Sequence, residues 1–245
     1  MTRAYAMVAL SALLFSLVPL PAIAQEISIA LGDEGSLAAR SIQILVLVTL
    51  LSIVPGLAIM VTSFPFVVTV LSILRQAIGL QQSPPNMLIV SLALFLTYFV
   101  MEPVFAEAWT IGVEPLIAEQ TDIETAFRQT LGPFRIFMSG RIDPGTFQSL
   151  AELRPDAELG ETMADSPLSI LVPSFLLSEI ERAFEIGFLI YLPFLIIDLV
   201  VAAVLMSMGM MLVPPAVVSL PFKLAFFVVA DGWTLISGAL VRSYF

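Results

Sequence analysis

Residues Glu179 to Trp233 read EIERAFEIGFLIYLPFLIIDLVVAAVLMSMGMMLVPPAVVSLPFKLAFFVVADGW. At ~20 residues per span, the run is long enough to cross a bilayer twice. Asp198 lies inside its first apolar half, and Lys223, the chain's only lysine, lies inside the second, which closes on Asp231. Met206, Met208, Met210 and Met211 crowd around Gly209, with Pro214-Pro215 just beyond. An ionisable side chain at membrane depth costs about 3 kcal/mol or more, so it faces protein or a watered path. Proline and glycine there free backbone groups that neighbouring helices must satisfy. Methionine is flexible and fills irregular gaps. Together these features predict a packed, oligomeric membrane assembly with a deformable apolar constriction. The plainer alternative is two ordinary membrane helices joined by a Met-rich turn.

Composition agrees with a membrane protein. Of the 245 residues 59% are hydrophobic and 12% charged, and mean hydropathy is +1.01. A soluble domain is nearer half apolar and one quarter charged. The formal charge of −10 is concentrated in one segment. From Glu102 to Asp165 there are twelve acids against four arginines. No basic stripe is present, which excludes nucleic acid as a partner. With no cysteine and no histidine, disulfides, thiolate metal sites and imidazole acid–base catalysis are excluded, and no cofactor is expected.

Met1 to Ala24 reads as a cleavable secretory signal. Arg3 starts it, Ala4 to Val18 form a short apolar core, and Ala22-Ile23-Ala24 is a small-x-small exit before Gln25. An uncleaved anchor is the alternative. The remainder, 25–245, is expected to be one domain. Ser41 to Leu74 is apolar, too long for one straight span, and interrupted at Pro55-Gly56 and Pro65, which predicts a broken or re-entrant pair. Gln81 to Pro85 is a turn, and Met87 to Val104 the next span, ending near Glu102-Pro103. Residues 107–166 form a polar extramembrane region. There Ile123 to Phe137 is a helix with an apolar face of Phe127, Leu131 and Phe134, broken at Gly132-Pro133; Asp156 to Asp165 is an acidic loop. Ser178 is placed to cap the next helix, with Glu179, Arg182 and Glu185 at a solvated entrance. Arg75 between the first apolar runs is compatible with that turn inside and the polar region outside. Ser63-Phe64-Pro65-Phe66 echoes Ser219-Leu220-Pro221-Phe222, and chance explains so short an echo.

No nucleophile elbow, phosphate loop or metal cluster is present, so an enzyme is not expected. A pore, a carrier or a scaffold remains. Asp198 and Lys223 read as an ion pair, between helices or between copies of the chain, with pairing across subunits favoured over a proton relay. Lys223 and Asp231, eight positions apart, fall on one face of a single helix, two turns apart.

The 179–233 run resembles the signature region of the flagellar biosynthesis protein FliP family, an export-gate component of type III secretion systems. Thr62 to Phe64 (TSF), Leu74 to Asn86 (LRQAIGLQQSPPN) and Leu92 to Val104 (LALFLTYFVMEPV) match the same family in the same order. The resemblance implies an all-α membrane subunit whose broken helical hairpins assemble, pentamer-like, into an export-gate cone lifted partly above the inner membrane. It implies FliQ and FliR as partners, with FlhA and FlhB beyond them, and unfolded flagellar proteins as cargo. It implies too that Met206, Met208, Met210 and Met211 form a pore-sealing loop. Two stretches depart from the family. Pro65-Phe66 stands where the family reads Thr-Arg after Thr-Ser-Phe, and Ser139 to Gly145 replaces a Gln-Thr-Arg-type stretch.

Overall fold

The computed structural model describes residues 37–79, 84–210 and 212–245. The expected signal and its exit at Ala24 and Gln25 lie outside them, as does Met211. The described part is all-α, without a strand. Its long helices are α1 (Leu37–Met60), α2 (Phe64–Ile78), α3 (Asn86–Ala108), α5 (Ile123–Ser139), α7 (Leu168–Ser207), α8 (Pro215–Val229) and α9 (Gly232–Arg242). Two short ones, α4 (Glu114–Ile117) and α6 (Pro144–Glu152), lie in the polar region. The chain divides into two compact units whose boundary falls inside α1. Of the first, 37–49 is described, an apolar half-helix with Ile42, Leu45 and Leu47 exposed. The second is 50–245.

Among the described residues, three helices are long and apolar enough to span a membrane: Arg40–Met60, Asn86–Ile117 and Leu168–Ser207. A fourth span is possible if α8 and α9, bent by 61° at their junction, count as one. The first break is not at Pro55-Gly56, through which α1 runs uninterrupted. A helical proline costs one backbone bond, which the rest of a long helix outlasts. The chain turns instead at 61–63, where the Thr62 hydroxyl donates to the Ile59 carbonyl at 2.7 Å and accepts from the Phe64 amide at 3.3 Å. Pro65 then sits in the first turn of α2, where no amide is needed. For the same reason as at Pro55, α3 continues past Pro103, and a π-turn at Trp109–Val113 carries it into α4.

The core is built on α2, which packs most extensively against α7. Phe66, Val70, Leu71, Leu74 and Ala77 are fully buried there. Gly187 of α7 permits the approach: a β-carbon on it would lie 2.4 Å from Ile73 Cδ1.

In the polar region α5 runs unbroken through Pro133. Its buried positions are Ala126, Pro133 and Met138, while Phe127 of the expected apolar face is exposed. A second cluster joins Met138 and Ile142 to Leu171 and Phe175 of α7. The Asp122 carboxylate caps α5, and Asp143 caps α6 through the Thr146 amide at 2.8 Å. These bonds hold both carboxyls below the usual aspartate range, the Thr125 and Thr146 bonds respectively contributing most. The depressed folded value means that cap stabilisation is present above the unfolded aspartate pKa, about 3.9, and is lost as pH falls through the folded one. Acid titration of Asp143→Asn, followed by helix content, is therefore expected to show a flatter loss of α6 than the parent chain.

Ser178 caps nothing. α7 starts ten residues earlier, and the buried Ser178 hydroxyl donates to Ser174 O at 2.8 Å and accepts from the Asp143 amide at 2.9 Å. Glu179 is likewise not at a solvated entrance: it is 0% exposed. Arg141 Nε donates to its Oε1 at 2.8 Å, the Tyr244 hydroxyl donates to its Oε2, and Arg182 lies 3.5 Å away. A carboxylate in this position is tolerated because the second cluster brings Arg141 onto it, a contact 38 residues distant that helix spacing does not encode. Burial first, then the Glu179 charge, pushes the Tyr244 hydroxyl far above its ordinary value, so it stays a donor.

Candidate functional site

α7 ends in a Schellman turn. Gly209, at φ +76°, takes the left-handed position that glycine adopts without strain; its amide donates to Met206 O at 3.0 Å, and the Met210 amide to Leu205 O at 3.0 Å. Pro214 and Pro215 then open α8. The turn presents Met206, Met208 and Met210 with exposed side chains, and Leu212 projects 99% exposed beside them. Between α7 and α8 runs an apolar groove of about 440 Å³, lined by Ile197, Val200, Val204, Val218 and Phe222 among others.

Below the turn, Lys223 Nζ lies 2.6 Å from Asp198 Oδ2 and donates also to Ala77 O at 3.0 Å. Ser219 Oγ donates to Asp198 Oδ1 at 2.5 Å. Lys223 is 6% exposed. The pair closes within one chain, joining α7 to α8. Through the Ala77 carbonyl it also reaches the last turn of α2, the negative end of that helix. A cation there serves three helices at once. Gly79 ends α2 at φ +88°, the left-handed position that favours glycine; the space itself would admit a β-carbon, at 3.7 Å from Leu220 Cδ1 and 4.0 Å from Lys223 Nζ.

Asp231 is elsewhere. α8 ends at Val229, so Lys223 and Asp231 do not share a helix. Asp231 occupies the α8–α9 corner at φ +48°, its carboxylate accepting from Thr234 Oγ1 at 3.1 Å. The corner is packed by Phe227, whose ring meets Trp233 edge-on at 5.4 Å. Sequence reasoning missed Ser219 and the Ala77 carbonyl. The signal for Ser219 was available, since 219 and 223 are four apart and share a helix face. The Ala77 contact spans 146 residues and has no local signal.

Among the described residues no group of three or more acids could hold a metal ion. Ser219 engages one oxygen of the Asp198 carboxylate and Lys223 the other, so the arrangement joins α7 to α8. Its chemistry is that of a braced hairpin with a pliable, sulfur-rich tip.

Known proteins place the chain. It is 47% identical to the flagellar biosynthetic protein FliP of Caulobacter vibrioides over 243 residues, covering 99% of this chain and 91% of that one. The FliP of Agrobacterium fabrum is 49% identical over 214 residues, 86% of each. That of Bacillus subtilis is 40% identical over 221, covering 89% of this chain and 98% of the other. The FliP family model matches residues 47–240, which hold the braced hairpin, the methionine turn and the whole of the polar region, and the chain belongs to the FliP family.

Proposed function

We propose that the chain is a channel-forming subunit of the flagellar type III protein export gate, passing unfolded flagellar proteins across the bacterial inner membrane without catalysis of its own. The observation that carries this reading is the Schellman turn that holds Met206, Met208 and Met210 outward at the tip of an apolar hairpin. Several copies, arranged pentamer-like about an axis with FliQ and FliR, would bring these turns together. Flexible thioethers close an irregular gap to ions and yield to a passing chain. FlhA and FlhB are the further partners. On this reading 1–24 is a cleaved signal, and 107–166 stands outside the bilayer on the periplasmic side. A small-solute carrier with Asp198 as its coupling site has less support, since Lys223 and Ser219 already engage both Asp198 oxygens.

Replacing Met208, Met210 and Met211 together with alanine is expected to raise ion leakage several-fold in membranes holding the assembled complex. Complex yield, measured alongside, should stay near that of the parent. An unchanged leak in an intact complex would remove the gasket from the mechanism.

A further inference from the structure

The last residues of the described chain return to the polar region. Arg141 Nη1 donates to Ser243 O at 2.8 Å, across 102 positions of sequence. The Tyr244 ring lies 4.0 Å from the Arg141 guanidinium carbon, and Phe137 of α5 stacks on it at 5.9 Å and 12°. Phe66 of α2 meets the same ring edge-on at 5.6 Å. The Tyr244 hydroxyl is one of the buried Glu179 carboxylate's partners and Arg141 another, with Arg182 3.5 Å away. Arg141 lies in the corner between α5 and α6, and it is this corner that the tail reaches.

We propose that Ser243 and Tyr244 form a strap that closes over Arg141 and Glu179 and so docks the polar region onto α7. The polar region would then be fastened only in a chain whose final helix has returned to the same side. Three contacts of the knot depend on the strap. Without it Arg141 Nη1 loses its acceptor, Glu179 Oε2 loses its donor, and the guanidinium loses the nearer of its two rings, keeping Phe66 at 5.7 Å. A buried carboxylate left half-paired draws water in, and the corner between α5 and α6 lifts. The second cluster, in which Met138 is 1% exposed, lies directly beneath that corner.

The chain has no cysteine, so a single introduced thiol reports local opening cleanly. Maleimide labelling of Met138→Cys in the purified full chain is the measurement. Ala77→Cys, at a position 0% exposed in the parent chain but in the α2 core, is the control. Ending the chain after Arg242 is expected to speed labelling at 138 roughly tenfold with little change at 77, the signature of local opening. Tyr244→Phe, which removes one hydroxyl, should give a smaller rise at 138 alone, and decides the matter if the shortened chain cannot be purified. Unchanged labelling at 138 would overturn the strap. So would an equal rise at 77 and 138, which would make the tail a general stabiliser. Labelling is read on the isolated chain, so neither result depends on ion conduction.

Discussion

Lys223→Ala is expected to destabilise the purified subunit by about 3 kcal/mol, the lower end of the cost of stripping one partner from a buried ion pair. The lower end applies because the Asp198 side chain keeps 30% exposure while Lys223 keeps 7%. After substitution Asp198 retains, among the described residues, only the Ser219 hydroxyl. The Ala77 carbonyl loses its donor, a further cost of about 1 kcal/mol. Denaturant titration in mixed micelles, followed by helix content, measures the sum. Converting both partners, Asp198→Asn with Lys223→Met, should recover most of the loss because no charge is left stranded. A single substitution that cost nothing would show that the pair does not fasten the three helices. In assembled gates, Lys223→Ala should lower oligomer yield more than it alters conductance. The pair closes inside one chain, so this effect would run through a loosened subunit.

The second large effect is expected at Phe194. It is 2% exposed on α7 and holds α8 through Phe226, edge-on at 5.8 Å, and Phe227 at 6.4 Å. Phe194→Ala should cost about 3 kcal/mol, from the cavity and the lost ring contacts. Phe194→Leu, which keeps most of the volume, should cost about 1 kcal/mol. The same micelle titration resolves the two. Equal, small effects for both would mean that α8 does not rely on this ring. Phe194 lies one helical turn before Asp198, so its loss and that of Lys223 should combine non-additively.

The class of fold was legible because hydrophobic runs of span length need no tertiary information. The methionine turn was legible for a related reason: Gly209 and Pro214 are local signals of a helix stop and start. Proline read as a terminator misplaced three breaks, although the chain does turn just before Pro65 and at Pro85. Pro55, Pro103 and Pro133 all lie inside helices, since a long helix loses one bond to each and keeps the rest. Lys223 and Asp198 were recognised as partners from their cost in an apolar run, yet the structure seats both in one chain. Glu179 was misread for the opposite reason. Its neighbours Arg182 and Glu185 look like a wet surface in one dimension, and only the fold brings Arg141 and Tyr244 onto it.

α7 runs for 40 residues, about 60 Å at 1.5 Å per residue, twice the thickness of a hydrocarbon layer. It carries Glu179 and Asp198 on the same shaft, nineteen residues or about 28 Å apart. Such a rod has a phase as well as a length. Adding or removing one residue between those carboxylates would leave every turn intact but rotate one bolt by about 100° against the other. Neither fastening could then be kept without giving up its mate, so the spacing itself is a working part of the machine.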